Sequence, residues 1–417
     1  MDKLKIIGKA DLYGSIDIPG SKNAALPIMV SSLLSKKNLT LSNVPNLEDI
    51  NSMIKLLKSF GVVCKKEKGK LILNSSKIEN NIADYDLVRK MRASILVLGP
   101  MLARFKSAKI SLPGGCAIGT RPIDIHLESL NKLGVVFKIE NGFVSGFVNE
   151  HLIGANINLS FPSVGATENL MMAATLAKGE TTINNPAQEP EIIDLESSLN
   201  AMGAKIHGSG SNTITIEGVN SLDEGNHTII ADRIVAGTYI IAAVMLNKKF
   251  TINNANSEFL KSLIDLLKIM KANLLIQNNT ITVLPSKEIL GANVETAPYP
   301  GFPTDLQAQI MALMSIAKGK SKIVEKIFEN RFLHVAELNR LGANIKIKND
   351  TAYIEGGRVY KGAQVMASDL RASVSLIIAA LCADGETIVH RLYHLDRGYE
   401  KIEETLGKCG PIMIREK

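Results

Sequence analysis

Apolar positions along the chain fall into two alternating helical patterns. One spaces its apolar residues at i, i+3, i+4 and i+7, as in Ile50, Met53, Ile54 and Leu57, with Lys55 and Lys58 between them. That spacing predicts amphipathic helices with one face on a core and the other in water. The second pattern is apolar nearly all round, as in residues 233–246 (RIVAGTYIIAAVML) and 371–382 (RASVSLIIAALC). Helices of that kind need to be enclosed on every side. Short alternating runs such as Thr213-Ile214-Thr215-Ile216 lie between them and predict half-buried strands.

Both patterns recur six times. The amphipathic copies read SMIKLLKSFGVVC, HLESLNKLGVVF, DLESSLNAMGAKI, LIDLLKIMKANLL, HVAELNRLGANI and KIEETLGKCGPIM. Their marker residues are Gly61, Gly134, Gly203, Ala272, Gly342 and Gly410, spaced 68–73 residues apart. The enclosed copies begin at Ser21, Arg92, Gly165, Arg233, Thr304 and Arg371. Common solenoid repeats run about 20–50 residues, so a longer period predicts closed globular lobes instead. Six units divide as three plus three, with the boundary near residues 226–232. Residues 1–20 form a strand-rich leader without helices, expected to pair with a neighbouring lobe, the one holding the C-terminus being the candidate.

Composition narrows the partners. The 417 residues carry a net charge of +7, which favours anionic ligands: nucleic acid, a membrane surface or small phosphorylated molecules. Aromatic residues make up only 5%, Trp is absent, and no long block of like charge occurs, which argues against nucleic acid. The longest apolar run, residues 234–246, is shorter than the roughly 20 residues a membrane span needs. Residues 1–17 lack the apolar run of a signal peptide. The four cysteines (Cys64, Cys116, Cys382, Cys409) are scattered without metal-ligand spacing. A cytoplasmic protein without disulfides, structural metal or membrane insertion is expected.

Residues 111–126, SLPGGCAIGTRPIDIH, concentrate the candidate chemistry. Glycine and proline mark a loop. Arg121 and a following helix N-terminus would lower the pKa of the Cys116 thiol and make it reactive; a small residue buried in a tight turn is the alternative. Cations also stand near predicted helix starts: Lys22, Arg92, Arg233 and Arg371 in the enclosed set, Arg121, Arg331 and Arg397 in the amphipathic set. A cation there opposes the helix dipole, and makes sense if these groups converge on an anion; structural ion pairs are the bland account of each one singly. Glu48, Glu189 and Glu258 suit first-turn acids. Asp305, after the turn-rich residues 298–304, reads by itself as a cap, and His126 and His394 as structural. No GxxxxGK[ST] or GxGxxG motif occurs, so nucleoside triphosphate and dinucleotide folds find no support.

Residues 20–29 (GSKNAALPIM), 112–124 (LPGGCAIGTRPID), 163–169 (SVGATEN), 300–309 (PGFPTDLQAQ), 328–335 (FENRFLHV), 368–373 (SDLRAS) and 394–400 (HLDRGYE) together resemble the UDP-N-acetylglucosamine enolpyruvyl transferase family, one of the EPSP synthase-like enzymes. The resemblance covers the whole chain. It implies an α/β fold: a two-lobed inside-out α/β barrel of six βαβαββ repeats. Residues 20–228 would form lobe I, carrying the Cys loop 111–124, and residues 1–19 with 229–417 lobe II. Helix N-termini would point into the cleft between the lobes, with the Cys loop closing over it.

The implied reaction moves the enolpyruvyl group of phosphoenolpyruvate to the 3′-hydroxyl of UDP-N-acetylglucosamine and releases phosphate, the first committed step of peptidoglycan synthesis. By motif match Cys116 is the general acid at C3 of phosphoenolpyruvate, able to form a covalent adduct and to react with fosfomycin. Asp305 is the base for the sugar hydroxyl. Lys22, Arg121 and Arg397 hold the phosphate, Arg331 and Arg371 fork the carboxylate, Asn23 steadies the tetrahedral centre, and Asp369 takes part in proton handling. Arg92, Arg121, Pro122, Ile123, Asp124, Ile125, Phe161, Pro162, Ser163, Val164, Asp305 and Ile327 match the UDP-sugar positions. Some family members carry a lysine where this chain has Phe161, so nucleotide binding here would lean on packing and on Arg92. No metal, cofactor or macromolecular partner is implied, and a monomer is expected. Two rivals stand beside this expectation: the shikimate-pathway enolpyruvyl transferase, which shares fold and donor but lacks a cysteine at this loop tip, and a ring-like nucleic-acid clamp, which would place its cations alike in every repeat.

Overall fold

The computed structural model describes residues 2–89, 91–112 and 123–416. Cys116, Arg121 and Pro122 lie outside the described residues. The described chain forms two compact units, one of residues 2–18 and 231–416, the other of residues 19–89, 91–112 and 123–230.

Each unit contains three four-stranded sheets built to one plan, in which an edge strand runs parallel to its neighbour and the next two strands are antiparallel. Asn156–Asn158, for example, runs parallel to Glu180–Asn184, which pairs antiparallel with Thr213–Glu217, itself antiparallel to Lys205–His207. Alternation sets the buried face: Ile214 and Ile216 are fully buried while Thr213 and Glu217 face water.

Chain ends complete the sheets. Lys3–Ile7 lies between Glu386–His390 and Met413–Glu416, antiparallel to both, so the leader joins the C-terminal sheet as expected. Ser15–Asp17 adds the parallel edge to Phe250–Asn253. In the other unit Gly225–Thr228 returns to run parallel to Asn38–Ser42, so the first and last segments of that unit share one sheet.

The enclosed helices are Lys22–Ser31, Leu98–Phe105, Val164–Ala174, Arg233–Leu246, Gln307–Ile316 and Leu370–Cys382. Every residue from Ile234 to Met245 is buried, as the apolar-all-round pattern requires. The second copy opens as a 3-10 turn, Arg92–Val97, and Pro100 then sits in the first turn of its α-helix, where a missing N–H costs no intrahelical bond. Four starts are capped by a side-chain oxygen. Ser21 accepts from Ala24 N (3.3 Å) and Ser163 from Ala166 N (3.4 Å). Asp232 Oδ1 accepts from Ile234 N (2.8 Å), and Asp369 Oδ1 from Arg371 N (2.9 Å) and Ala372 N (3.1 Å). Such caps contribute about 1 kcal/mol each. The outer helix Glu48–Ser59 buries Ile50, Met53, Leu56 and Leu57, leaves Ile54 half-buried, and exposes Lys55 and Lys58.

Three sequence placements are corrected. The glycine markers hold positive φ (Gly61 104°, Gly342 107°), the left-handed turn that ends a helix. In the fourth copy that conformation belongs to Lys271 (φ 65°), so Lys271 and not Ala272 is the equivalent position. Arg331 lies ahead of its helix, Val335–Arg340, in a run of turns, because residues 329–334 do not continue a helical ladder. Arg397 is the last residue of the 3-10 helix Leu392–Arg397, five residues before the helix Ile402–Gly407. Neither arginine opposes a helix dipole.

Candidate active site

In the unit of residues 2–18 and 231–416, three predicted groups meet. Asp305, in the 3-10 turn Thr304–Leu306, accepts from Arg331 Nη2 at Oδ1 (2.8 Å) and from Arg371 Nη2 at Oδ2. The Arg331 and Arg371 side chains are 5% and 7% exposed, that of Asp305 27%. Asp305 is therefore an ion-pair partner and not a helix cap. Burial works against the Arg371 charge, but Asp305, with Tyr399 and Asp232, more than restores it, and its pKa lies above the ordinary arginine value. Two guanidinium groups on one carboxylate form a site suited to planar anions.

A buried polar chain steadies this cluster. Gln309 Nε2 donates to the Asp305 carbonyl (3.0 Å) and to Thr238 Oγ1 (3.1 Å). Thr238 Oγ1 donates to Ile234 O (2.8 Å), so the Tyr399 hydroxyl, 2.7 Å away, is the donor of their shared bond. Gln309 and Tyr399 sit inside the motifs at 300–309 and 394–400, but nothing in residue type singled them out. Arg397 is anchored through its neighbour: Arg415 forks Asp396 (2.7 and 3.0 Å) and donates from Nε to Glu403 Oε1 (2.6 Å). Asp369 spends Oδ1 on its cap, and Oδ2 accepts from Ser368 Oγ at 3.3 Å.

The second unit holds Arg92, Ile123–Ile125 and Phe161–Val164 of the predicted UDP-sugar set, while Asp305 and Ile327 belong to the other unit. Asn169 is the tie within the second unit. Its Oδ1 accepts from Gly99 N (2.8 Å), which turns Nδ2 toward Ile95 O (3.1 Å) and His126 Nδ1 (2.9 Å). One side chain thus links the segment that begins at Arg92, the helix Asp124–Lys132 that follows Ile123, and the helix Val164–Ala174 capped by Ser163. Because the amide presents N–H to Nδ1, the neutral ring carries its proton on Nε2. Gly165 packs closely here: a Cβ would stand 3.0 Å from the His126 ring, so the ring would have to give by a few tenths of an ångström. Phe161 is 42% exposed. At the start of the first enclosed helix, Lys22 Nζ pairs with Asp49 Oδ2 at 3.1 Å, both nearly buried, with Asn23 beside it half-buried. Asp49 was missed because it reads as an ordinary first-turn acid next to Glu48.

Burial and Arg92 hold His126 down to about 4, and burial, with Arg331 acting the same way against Asp369, holds His334 to about 4. Both rings ionise more readily in the unfolded chain, near pH 6.5, so their contribution is complete above that pH and is lost as pH falls toward 4. Each loss amounts to up to roughly 3 kcal/mol. Thermal melts should therefore fall by several degrees between pH 7.5 and 5, with a shallower slope in His126→Gln; a flat profile would contradict this.

A family model described as EPSP synthase (3-phosphoshikimate 1-carboxyvinyltransferase) matches residues 6–406. The chain is 52% identical over 410 residues to a UDP-N-acetylglucosamine 1-carboxyvinyltransferase of Pelagibacter ubique, covering 98% of each. It is 50% identical over 412 residues to the protein of the same name from Granulibacter bethesdensis, again over 98% of each. Among solved structures, the enolpyruvyl transferase NikO from Streptomyces tendae aligns with a TM-score of 0.89 at 23% identity, over 99% of this chain and 98% of that one. EPSP synthase from Acinetobacter baumannii aligns with a TM-score of 0.76 at 18% identity over 100% of both chains. At these identities the structures speak to the fold, which is that of the EPSP synthase-like enzymes.

Proposed function

The chain belongs to the EPSP synthase-like family of enolpyruvyl transferases, and on that premise we propose that it transfers the enolpyruvyl group of phosphoenolpyruvate to the 3′-hydroxyl of UDP-N-acetylglucosamine, with release of phosphate, in peptidoglycan synthesis. The observation that carries the donor half is the Asp305 carboxylate held by Arg331 and Arg371. Two guanidinium groups that already bind one carboxylate side by side suit a carboxylate-bearing donor. The acceptor half rests on relatives about half identical over nearly the whole chain, together with the Asn169 tie among the segments matched to the UDP-sugar.

In the proposed chemistry the 3′-oxygen attacks C2 of phosphoenolpyruvate as its proton passes to Asp305, while Cys116 delivers a proton to C3. The resulting tetrahedral ketal then breaks its C2–O bond to phosphate, C3 returns a proton, and the enol ether remains on the sugar. Arg331 and Arg371 orient the carboxylate. Lys22, Arg121 and Arg397 carry the phosphate charge as it leaves, and Asn23 supports the tetrahedral centre. Asp49, paired with Lys22, holds the ammonium on its helix start. Asp369 orients Arg371 by capping the helix that bears it, and contributes to proton handling. Arg92, Arg121–Pro122, Ile123–Ile125, Phe161–Val164, Asp305 and Ile327 receive the UDP-sugar. The lobes of the working enzyme would be residues 20–228 and residues 1–19 with 229–417. The protein acts as a cytoplasmic monomer on two small molecules; among the described residues no helix is long and apolar enough to cross a membrane.

Phosphate release with each acceptor tests the proposal. Incubation with phosphoenolpyruvate should liberate phosphate when UDP-N-acetylglucosamine is added and not when shikimate 3-phosphate is. The reverse pattern would overturn it.

A further inference from the structure

Glu325 follows the strand Lys320–Val324 and is 5% exposed. Its carboxylate collects four hydrogen bonds from three segments. Oε1 accepts from Thr296 Oγ1 (2.8 Å), Ile327 N (2.9 Å) and Phe328 N (3.2 Å), and Oε2 accepts from Thr304 Oγ1 (3.0 Å). Three of those bonds, from Thr304, Ile327 and Phe328, lie close to a group already described. Thr304 is the residue before Asp305, and its carbonyl accepts from Arg331 Nη2 at 3.4 Å. Residues 327 and 328 lead directly to Arg331, whose guanidinium stands 5.6 Å from the centre of the Phe328 ring. A single buried carboxylate thus holds the backbone ahead of Arg331 and the side chain of the residue before Asp305.

We infer that Glu325 is a positioning residue for the reaction, fixing the separation and orientation of Asp305 and Arg331. It touches neither substrate; it acts by joining the turn that carries the base to the turn that carries the carboxylate-binding arginine. This rests on the roles proposed above for those two residues. The chemistry of the hub restricts what can replace it. Ile327 and Phe328 offer backbone N–H groups that only donate, so the atom facing them must be an acceptor. Thr304 can donate or accept. A glutamine can keep its oxygen on the two N–H groups and turn its amide nitrogen toward Thr304, whose hydroxyl then reverses. An alanine supplies nothing at either position.

Three variants of the full-length protein test this: Thr304→Val, which removes only the bond beside Asp305 at nearly constant volume, Glu325→Ala and Glu325→Gln. The readout is steady-state phosphate release with phosphoenolpyruvate and UDP-N-acetylglucosamine, with thermal melting alongside. Displacing a reacting group by about 1 Å costs up to about a hundredfold in rate, so Glu325→Ala should lose about that much kcat and Thr304→Val about tenfold. Both KM values should change by less than about threefold, because a misplaced base affects the transition state more than substrate binding. Glu325→Gln should return to within about threefold of wild type. Unchanged kcat in Thr304→Val and Glu325→Ala, with only the melting temperature lowered, would show a clip that serves folding alone and overturn the inference. Glu325→Gln as inactive as Glu325→Ala would overturn it too. If Glu325→Ala does not fold, Thr304→Val decides. Wild-type protein that releases no phosphate would overturn the functional proposal itself, an outcome distinct from activity retained in the variants.

Discussion

Asp305→Ala is expected to lower kcat by about 10²–10⁴-fold, the usual contribution of a positioned base, and to destabilise the protein at the same time. Two nearly buried guanidinium groups, Arg331 and Arg371, would lose the carboxylate between them. Breaking a buried pair by removing one partner costs about 3–5 kcal/mol, and the partial exposure of Asp305 places this case near the lower end. A carboxylate ligand can take the vacated role. Phosphoenolpyruvate should therefore raise the melting temperature of Asp305→Ala more than that of wild type, for which the same anion competes with Asp305. Equal shifts in the two proteins, or a variant as stable as wild type, would contradict the arrangement.

Cys116→Ser is expected to lose activity on a similar scale, about 10²–10⁴-fold, because a serine hydroxyl is too weak an acid to replace the thiol at C3. Cys116→Asp should retain activity while losing its reaction with fosfomycin. In the presence of UDP-N-acetylglucosamine, wild-type protein should gain one fosfomycin mass, on the peptide that contains Cys116. The other thiols are poor competitors: burial pushes Cys64 up to about 11 and Cys382 up to about 12, and raises Cys409 as well. Thiols so raised hold little thiolate at neutral pH and react slowly. Labelling at any of those three, or full activity in Cys116→Ser, would remove Cys116 from the catalytic role.

The fold was legible wherever a local pattern repeats. Helices apolar on every side, as in residues 233–246, have no alternative to enclosure, and the Lys3–Ile7 leader had only a sheet to join. The repeat itself was misread by one residue at its fourth marker, since a lysine adopts there the left-handed turn that glycine adopts elsewhere. Local pattern also placed Arg331 and Arg397 at helix starts, because it registers an approaching helix but not the turns ahead of it. Long-range polar pairing was the least visible level. Lys22 and Asp49 are 27 residues apart, and Asp305 and Arg371 66 apart. Asn169, Gln309 and Glu325 have the residue types of ordinary surface positions. Only the fold, by burying them among donors and acceptors, shows that each joins separate segments.

The reaction product gives the most direct test of the central proposal. Incubated with phosphoenolpyruvate and UDP-N-acetylglucosamine, the protein should yield a UDP-sugar bearing an enol ether on its 3′-oxygen, seen in NMR as two vinylidene protons and a three-bond proton–carbon correlation from the sugar H3 to the enol-ether carbon C2. Recovery of the UDP-sugar unchanged, or attachment at any other hydroxyl, would contradict the account.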